Sequence, residues 1–264
     1  MSATIVFSHA NGFPAGTYRL LFEHWRAAGW RVEALPRFGH DPHHPVSSNW
    51  PHLRDELIEF ITALRPDGPV HLVGHSLGGF LSLLAACRRP ELARSVVLID
   101  SPLVTGWRAH SVHVVKLTGL MARVSPGRIA RRRRQHWPSR AEALAHFSAK
   151  SVFARWQPEV LADYVECGTE PAAQGGVQLS FRREIEARIY DTLPHHLSTL
   201  LRRHPPRCPV AFLGGTRSAE VRQVGLGATR RLVQERLRWI EGGHLFPMEQ
   251  PQQTAQAVLD LLPR

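Results

Sequence analysis

The stretch PVHLVGHSLGGFLSLLAAC, residues 69–87, decides how this chain reads. Residues 69–74 form an apolar run of strand length, and residues 77–89 form an apolar run of helical length that stops at Pro90. Between them lies G-x-S-x-G, with Gly74, Ser76 and Gly78 at its fixed positions. A strand that passes directly into a helix through this motif must turn sharply, which holds the serine hydroxyl out beyond the end of the sheet. Glycines flank the serine because side chains there would collide. Ser76 is therefore the candidate nucleophile, and because it starts the helix, the Leu77 N–H and the helix dipole can face a developing oxyanion.

Outward from this turn, strand and helix signals alternate. TIVFSH (4–9) reads as a strand, TYRLLFEHWRAAGW (17–30) as a helix and WRVEAL (30–35) as a strand. WPHLRDELIEFITALR (50–65) reads as a helix, and RSVVLID (94–100) as a strand after the one at 69–74. Such alternation predicts an α/β class with a mostly parallel central sheet and helices on both faces. From Ser101 to about Pro206 the rhythm gives way to Arg- and His-rich, mostly helical stretches without a convincing strand, so this segment reads as an insertion. Strands return at PVAFLGG (209–215) and RLRWIEG (236–242), helical character lies within 219–234, and QQTAQAVLDLL (252–262) closes the chain as a helix.

The FSHANGF loop (7–13), the serine turn, the mid-chain insertion and GGHLFPMEQP (242–251) together resemble the α/β-hydrolase superfamily over nearly the whole chain. The resemblance implies a serine hydrolase of esterase type, with a core of residues 1–102 and 207–264 and an inserted α-helical cap at 103–206. Its general base would be His244, which follows the last strand in a G-G-H loop; a serine hydroxyl needs such a base at neutral pH. The second oxyanion donor would come from the loop after the first strand, at the Asn11 backbone N–H, with its side-chain amide as a further donor. Asn11 and Gly12 can also simply build a turn.

The acid departs from the family pattern. It usually follows the strand at 209–215, where this chain reads TRSAEV (216–221) and places Ser218 at the expected position. Asp100, at the end of 94–100, is the first candidate, as in relatives that carry their acid after that earlier strand. Glu220 is the alternative, and a site without a carboxylate partner is the third possibility. Most of the other histidines, His43, His44, His195 and His196 among them, read as solvated loop residues. Trp107, Met121, Trp137, Phe147, Phe153 and Trp156 could line an apolar pocket or form the core of the cap. RIARRRRQHWPSR (128–140) could bind a substrate anion, although a solvated helix face is the simpler reading.

Composition narrows the function classes. The 264 residues, 43% hydrophobic and 21% charged, suit a folded domain rather than a disordered chain. The net charge of +11 raises nucleic acid as a partner, yet Lys116 and Lys150 are the only lysines. An arginine bias of that kind can follow from GC-rich codon usage, so no nucleic-acid partner is expected. Cys87, Cys167 and Cys208 are widely spaced and unpaired in pattern, and no apolar run is long enough for a bilayer, which predicts a cytoplasmic protein without a membrane span. No metal or cofactor is required, and the sequence leaves the oligomeric state open. The leading expectation is hydrolysis of an ester-like small molecule, an ester or thioester, through an acyl-enzyme. A carbon–carbon bond hydrolase, an acyltransferase or a non-catalytic ligand-binding protein on the same fold are the alternatives.

Overall fold

In the computed structural model, which describes residues 3–103 and 127–263, the apolar runs of the sequence become the strands of one sheet. β1 is Thr4–Ser8, β2 Arg31–Ala34, β3 Val70–His75 and β4 Ala93–Ile99. After three short strands in the insertion, β5 (His136–Trp137), β6 (Thr169–Pro171) and β7 (Val177–Leu179), the main sheet resumes with β8 (Val210–Gly215) and β9 (Leu237–Ile240). Its order is β2-β1-β3-β4-β8-β9, and all of its pairings are parallel. The 80-odd described residues between β4 and β8 therefore leave the sheet and return to the position next to the strand they left.

The period of two along each strand sorts side chains onto two cores. Ile5, Phe7, Val97 and Leu213 face one core, where the helices α1 (Arg19–Ala27) and Pro251–Leu261 pack through Trp25 and Val258. Val6, Leu72, Leu98 and Phe212 face the other, covered by α2 (Pro51–Ala63) and α3 (Leu77–Arg88). Both faces are buried, which is why these strands read as continuous apolar runs rather than as alternating ones. Element ends differ from the sequence reading by a residue or two, except that the helix expected at 17–30 is a 3-10 turn, Ala15–Tyr18, followed by α1.

The insertion differs from the expectation in one respect. It is helix-rich, with Arg140–Ser148, Pro158–Gly168 and Arg183–Asp191 among its helices, but β5, β6 and β7 form a three-stranded antiparallel sheet in the order β5-β7-β6. Strands of two or three residues, one ending in Pro171, are too short to show a period of two in sequence. Trp137, Phe147, Phe153 and Trp156 are buried together around Tyr164, with ring centroids 4.7 to 5.7 Å apart for the pairs in contact. They form insertion core; Trp107 and Met121 lie outside the described residues. No helix among the described residues is long and apolar enough to cross a membrane.

Candidate active site

The turn after β3 has the backbone that the motif demands. Ser76 sits at φ 53 and ψ −114, a conformation that L-residues seldom adopt, and its N–H is tied to the Ile99 carbonyl of β4 at 2.9 Å. A Cβ at Gly78 would lie 1.9 Å from the Ser8 carbonyl oxygen, and one at Gly74 would lie 2.2 Å from the Gly78 backbone. These close approaches let β1, β3 and α3 converge at the serine. Gly78→Ala is expected to lower stability by about 2 kcal/mol or more in urea unfolding, since the obstructing atom is backbone and cannot rotate away. Gly68→Ala, with no atom within 4 Å of its Cβ, should change it by well under ~1 kcal/mol in either direction.

Where helix α3 begins, the Gly79 and Phe80 N–H groups bond the Ser76 carbonyl at 3.1 and 3.3 Å, while the first N–H of a helix, here that of Leu77, has no partner inside it. Asn11 is buried on the loop after β1, and its side-chain amide donates to the Glu186 carbonyl of the insertion at 2.9 Å. That side chain thus fastens the loop to the insertion. His9 holds the same loop from below, donating from Nδ1 to the Ala10 carbonyl at 2.8 Å and accepting the Phe38 N–H at Nε2, 3.0 Å away. Burial lowers the His9 pKa to about 4, which keeps the ring neutral and able to do both.

Three segments distant in sequence meet at Asp100. Its carboxylate is fully buried at the end of β4 and accepts the Gly215 N–H at 2.8 Å, the Ser218 hydroxyl at 2.5 Å and the His244 Nδ1–H at 2.6 Å. Glu220 is half exposed and stands 3.7 Å from the same ring nitrogen. Burial disfavours the His244 imidazolium, but the Asp100 hydrogen bond and the charges of Glu220 and Asp100 outweigh it, so its pKa is raised. Ser218, at the position where the sequence pattern expects an acid, instead hydrogen-bonds Asp100 at the end of another strand and also caps the helix Ala219–Val224 by accepting the Val221 N–H. Ser76 lies one residue beyond His75, whose ring centroid is 5.0 Å from that of His244, and no hydrogen bond joins its hydroxyl to His244 among the described residues. Such bonds commonly close only when substrate is present.

Among the described residues, Asp100, Glu220 and His244 are the group whose donor atoms, all within 4.8 Å, could hold a cation. The 2.6 Å contact between Nδ1 and Oδ2 is a hydrogen bond and leaves no space for an ion between them. An imidazole held this way has its other nitrogen available to accept a proton. A cavity of about 510 Å³ opens beside His244, lined by Phe13, Val152, Arg155, Tyr190 and Leu245 among others.

Two expectations need correction. His44 is not solvated: it is 8% exposed, with its ring nitrogens 3.6 Å from Asp41 and 3.3 Å from Glu59. His9, His71 and His75 are buried as well, and for His71 and His75 the signal was their place in an otherwise apolar strand. The arginine run is a largely exposed face, as expected, except at Arg133. Arg133 is partly buried and donates to Glu186 and to the Tyr164 hydroxyl, while the exposed Arg131 pairs with Asp191 and Arg134 lies over the Trp137 ring.

Several known proteins resemble this chain. The monoglyceride lipase homolog of Monkeypox virus is 32% identical over 108 residues, 39% of this chain and 39% of that one. The sn-1-specific diacylglycerol lipase ABHD11 of Mus musculus is 27% identical over 237 residues, 85% of this chain and 68% of that one. The crystal structure of E-2-(acetamidomethylene)succinate hydrolase superposes with a TM-score of 0.73 at 21% identity, covering 99% of this chain and 91% of that one, a likeness of fold. A family model described as an alpha/beta hydrolase family matches residues 5–257. With its parallel sheet, its serine turn and a match that runs from β1 into the final helix, the chain belongs to the alpha/beta hydrolase family.

Proposed function

We propose that this chain is a serine hydrolase that cleaves a carboxylic ester or thioester of a small to medium organic molecule, with Ser76 as nucleophile, His244 as base and Asp100 as acid. The observation that carries the proposal is the 2.6 Å hydrogen bond from His244 Nδ1 to the buried carboxylate of Asp100, at the end of the strand that also anchors Ser76. In this reading the Ser76 oxygen attacks the carbonyl carbon as His244 Nε2 takes its proton, and Asp100 holds the resulting imidazolium. The Leu77 and Asn11 backbone N–H groups receive the oxyanion. His244 then protonates the leaving alcohol or thiol, and a water molecule activated by the same ring clears the acyl group. The sequence alternative of a fold without turnover rested on the missing acid after β8, and Asp100 fills that role from the neighbouring strand.

Residues 103–206 would act as a cap on substrate entry, since the described part is fastened to the Asn11 loop and contributes Val152, Arg155 and Tyr190 to the cavity beside His244. The test is a screen of p-nitrophenyl esters and thioesters of increasing acyl length, together with mono- and diacylglycerols, which the names of the relatives suggest. Covalent labelling by a fluorophosphonate probe accompanies it. A folded protein that labels no more than Ser76→Ala would end the proposal, and product analysis separates hydrolysis from acyl transfer or carbon–carbon cleavage.

The acid side of the pH profile follows from the raised pKa of His244. The base must be neutral, so kcat/KM should fall as pH drops through a midpoint above the ordinary imidazole value of about 6.5. Glu220→Gln removes one of the charges that stabilise the imidazolium, and the midpoint should move to lower pH. A midpoint that stays fixed, or moves upward, would show that Glu220 does not act on the ring.

A further inference from the structure

Three buried polar groups outside the proposed triad are joined in a single chain of hydrogen bonds. The Tyr18 hydroxyl accepts the Ala10 N–H at 3.2 Å and is 2.8 Å from His75 Nδ1, while His75 Nε2 is 2.9 Å from the His244 carbonyl oxygen. Tyr18 and His75 are 1% and 0% exposed, so water has little access to their side chains. We infer that Tyr18 and His75 are positioning residues that lock the oxyanion loop, the nucleophile turn and the backbone of the His244 loop into one register. The inference rests on the serine-hydrolase reading above.

The proton arrangement has one consistent solution. A carbonyl oxygen can only accept, so His75 must carry its proton on Nε2 and donate it to His244. His75 Nδ1 is then an acceptor, and it receives the Tyr18 hydroxyl proton, which leaves the Tyr18 oxygen to accept the Ala10 N–H. Burial, and next the charge that His244 acquires, keep the His75 pKa well below that of an ordinary imidazole. The relay therefore stays neutral while the ring 5.0 Å away takes up a proton.

The consequence is geometric. His75 immediately precedes Ser76, and Ala10 immediately precedes Asn11. Nucleophile, base and second oxyanion donor are thus each one peptide unit or less from a member of this chain. His244 is held at two points, its Nδ1 by Asp100 and its carbonyl by His75, which sets where its Nε2 stands relative to Ser76. A loss of register of about 1 Å can lower a rate by about a hundredfold without changing any reacting group.

Two measurements test this. In the wild-type protein labelled with ¹⁵N-histidine, long-range proton–nitrogen spectra should show a neutral His75 in the Nε2–H form, assigned by its loss in His75→Gln. An Nδ1–H form or a charged ring at neutral pH overturns the inference, and this readout needs no variant to be active. Second, with Ser76 titrated by a fluorophosphonate so that only competent sites are counted, Tyr18→Phe should lower kcat per site about tenfold or more, with KM within about twofold. His75→Gln, whose amide can still donate to the His244 carbonyl, should retain more of kcat per site than His75→Leu. Retention of kcat per site within about twofold in Tyr18→Phe overturns the inference. Failure of the wild type itself to label or turn over would instead strike the serine-hydrolase reading and leave the His75 spectrum to be read separately.

Discussion

Ser76→Ala is expected to lower kcat for the best ester of the screen by about a millionfold, while the protein stays folded. The loss is this large because nothing else within the turn can form the covalent bond to the acyl carbon, and His244 without a hydroxyl to deprotonate supplies little. Folding should be nearly untouched. Alanine and serine bear similar strain at φ 53, and the strand-to-helix turn is held by backbone contacts, including the Ser76 N–H to Ile99 bond, that the side chain does not make. Rates are compared after thermal unfolding has shown matching midpoints, and fluorophosphonate labelling should vanish. A variant that keeps more than about a thousandth of the wild-type rate would indicate a different nucleophile.

Asp100→Asn should cost about 10⁴ in kcat, the second largest effect. The variant keeps the shape of the side chain and an oxygen for the Gly215 N–H. Its amide nitrogen would then stand where Oδ2 now accepts from both Ser218 and His244. A donor would face two donors. His244 can relieve this by moving its proton to Nε2, which is the atom that must accept the proton from Ser76, so the ring would be held in the unproductive tautomer. Glu220→Gln should cost far less, because Glu220 is 3.7 Å from the ring and half exposed, where water screens its charge. Steady-state kinetics on the two variants decide the matter: a greater loss in Glu220→Gln than in Asp100→Asn would transfer the acid role.

Much of the fold was legible because both faces of the sheet are buried. Largely apolar runs such as 69–74 and 94–100 announce interior strands, and the glycines at 74 and 78 mark a turn whose tightness the collision with the Ser8 carbonyl explains. The placement of Ser76 and His244 was legible too, since each lies at the end of a strand, where this topology gathers its loops.

The rest depended on which strands become neighbours. Counting residues after β8 leads to Ser218, and only the parallel pairing of β4 with β8, Ile99 beside Leu213, puts Asp100 within 2.5 Å of that serine and 2.6 Å of a histidine 144 residues away. The same holds for Arg133, which reads as one of four surface arginines until Glu186 and Tyr164 close around it. It holds also for Tyr18 and His75, whose polar atoms sit in apolar surroundings. Sequence by itself determined the strands of the main sheet, the serine turn and the place of His244 after the last strand, because hydrophobic period and steric exclusion act over neighbouring residues. The tertiary structure alone decided which carboxylate meets His244 and the partners of the buried polar groups, because a hydrogen bond needs its two atoms within about 3 Å and only the packing of distant segments brings them there.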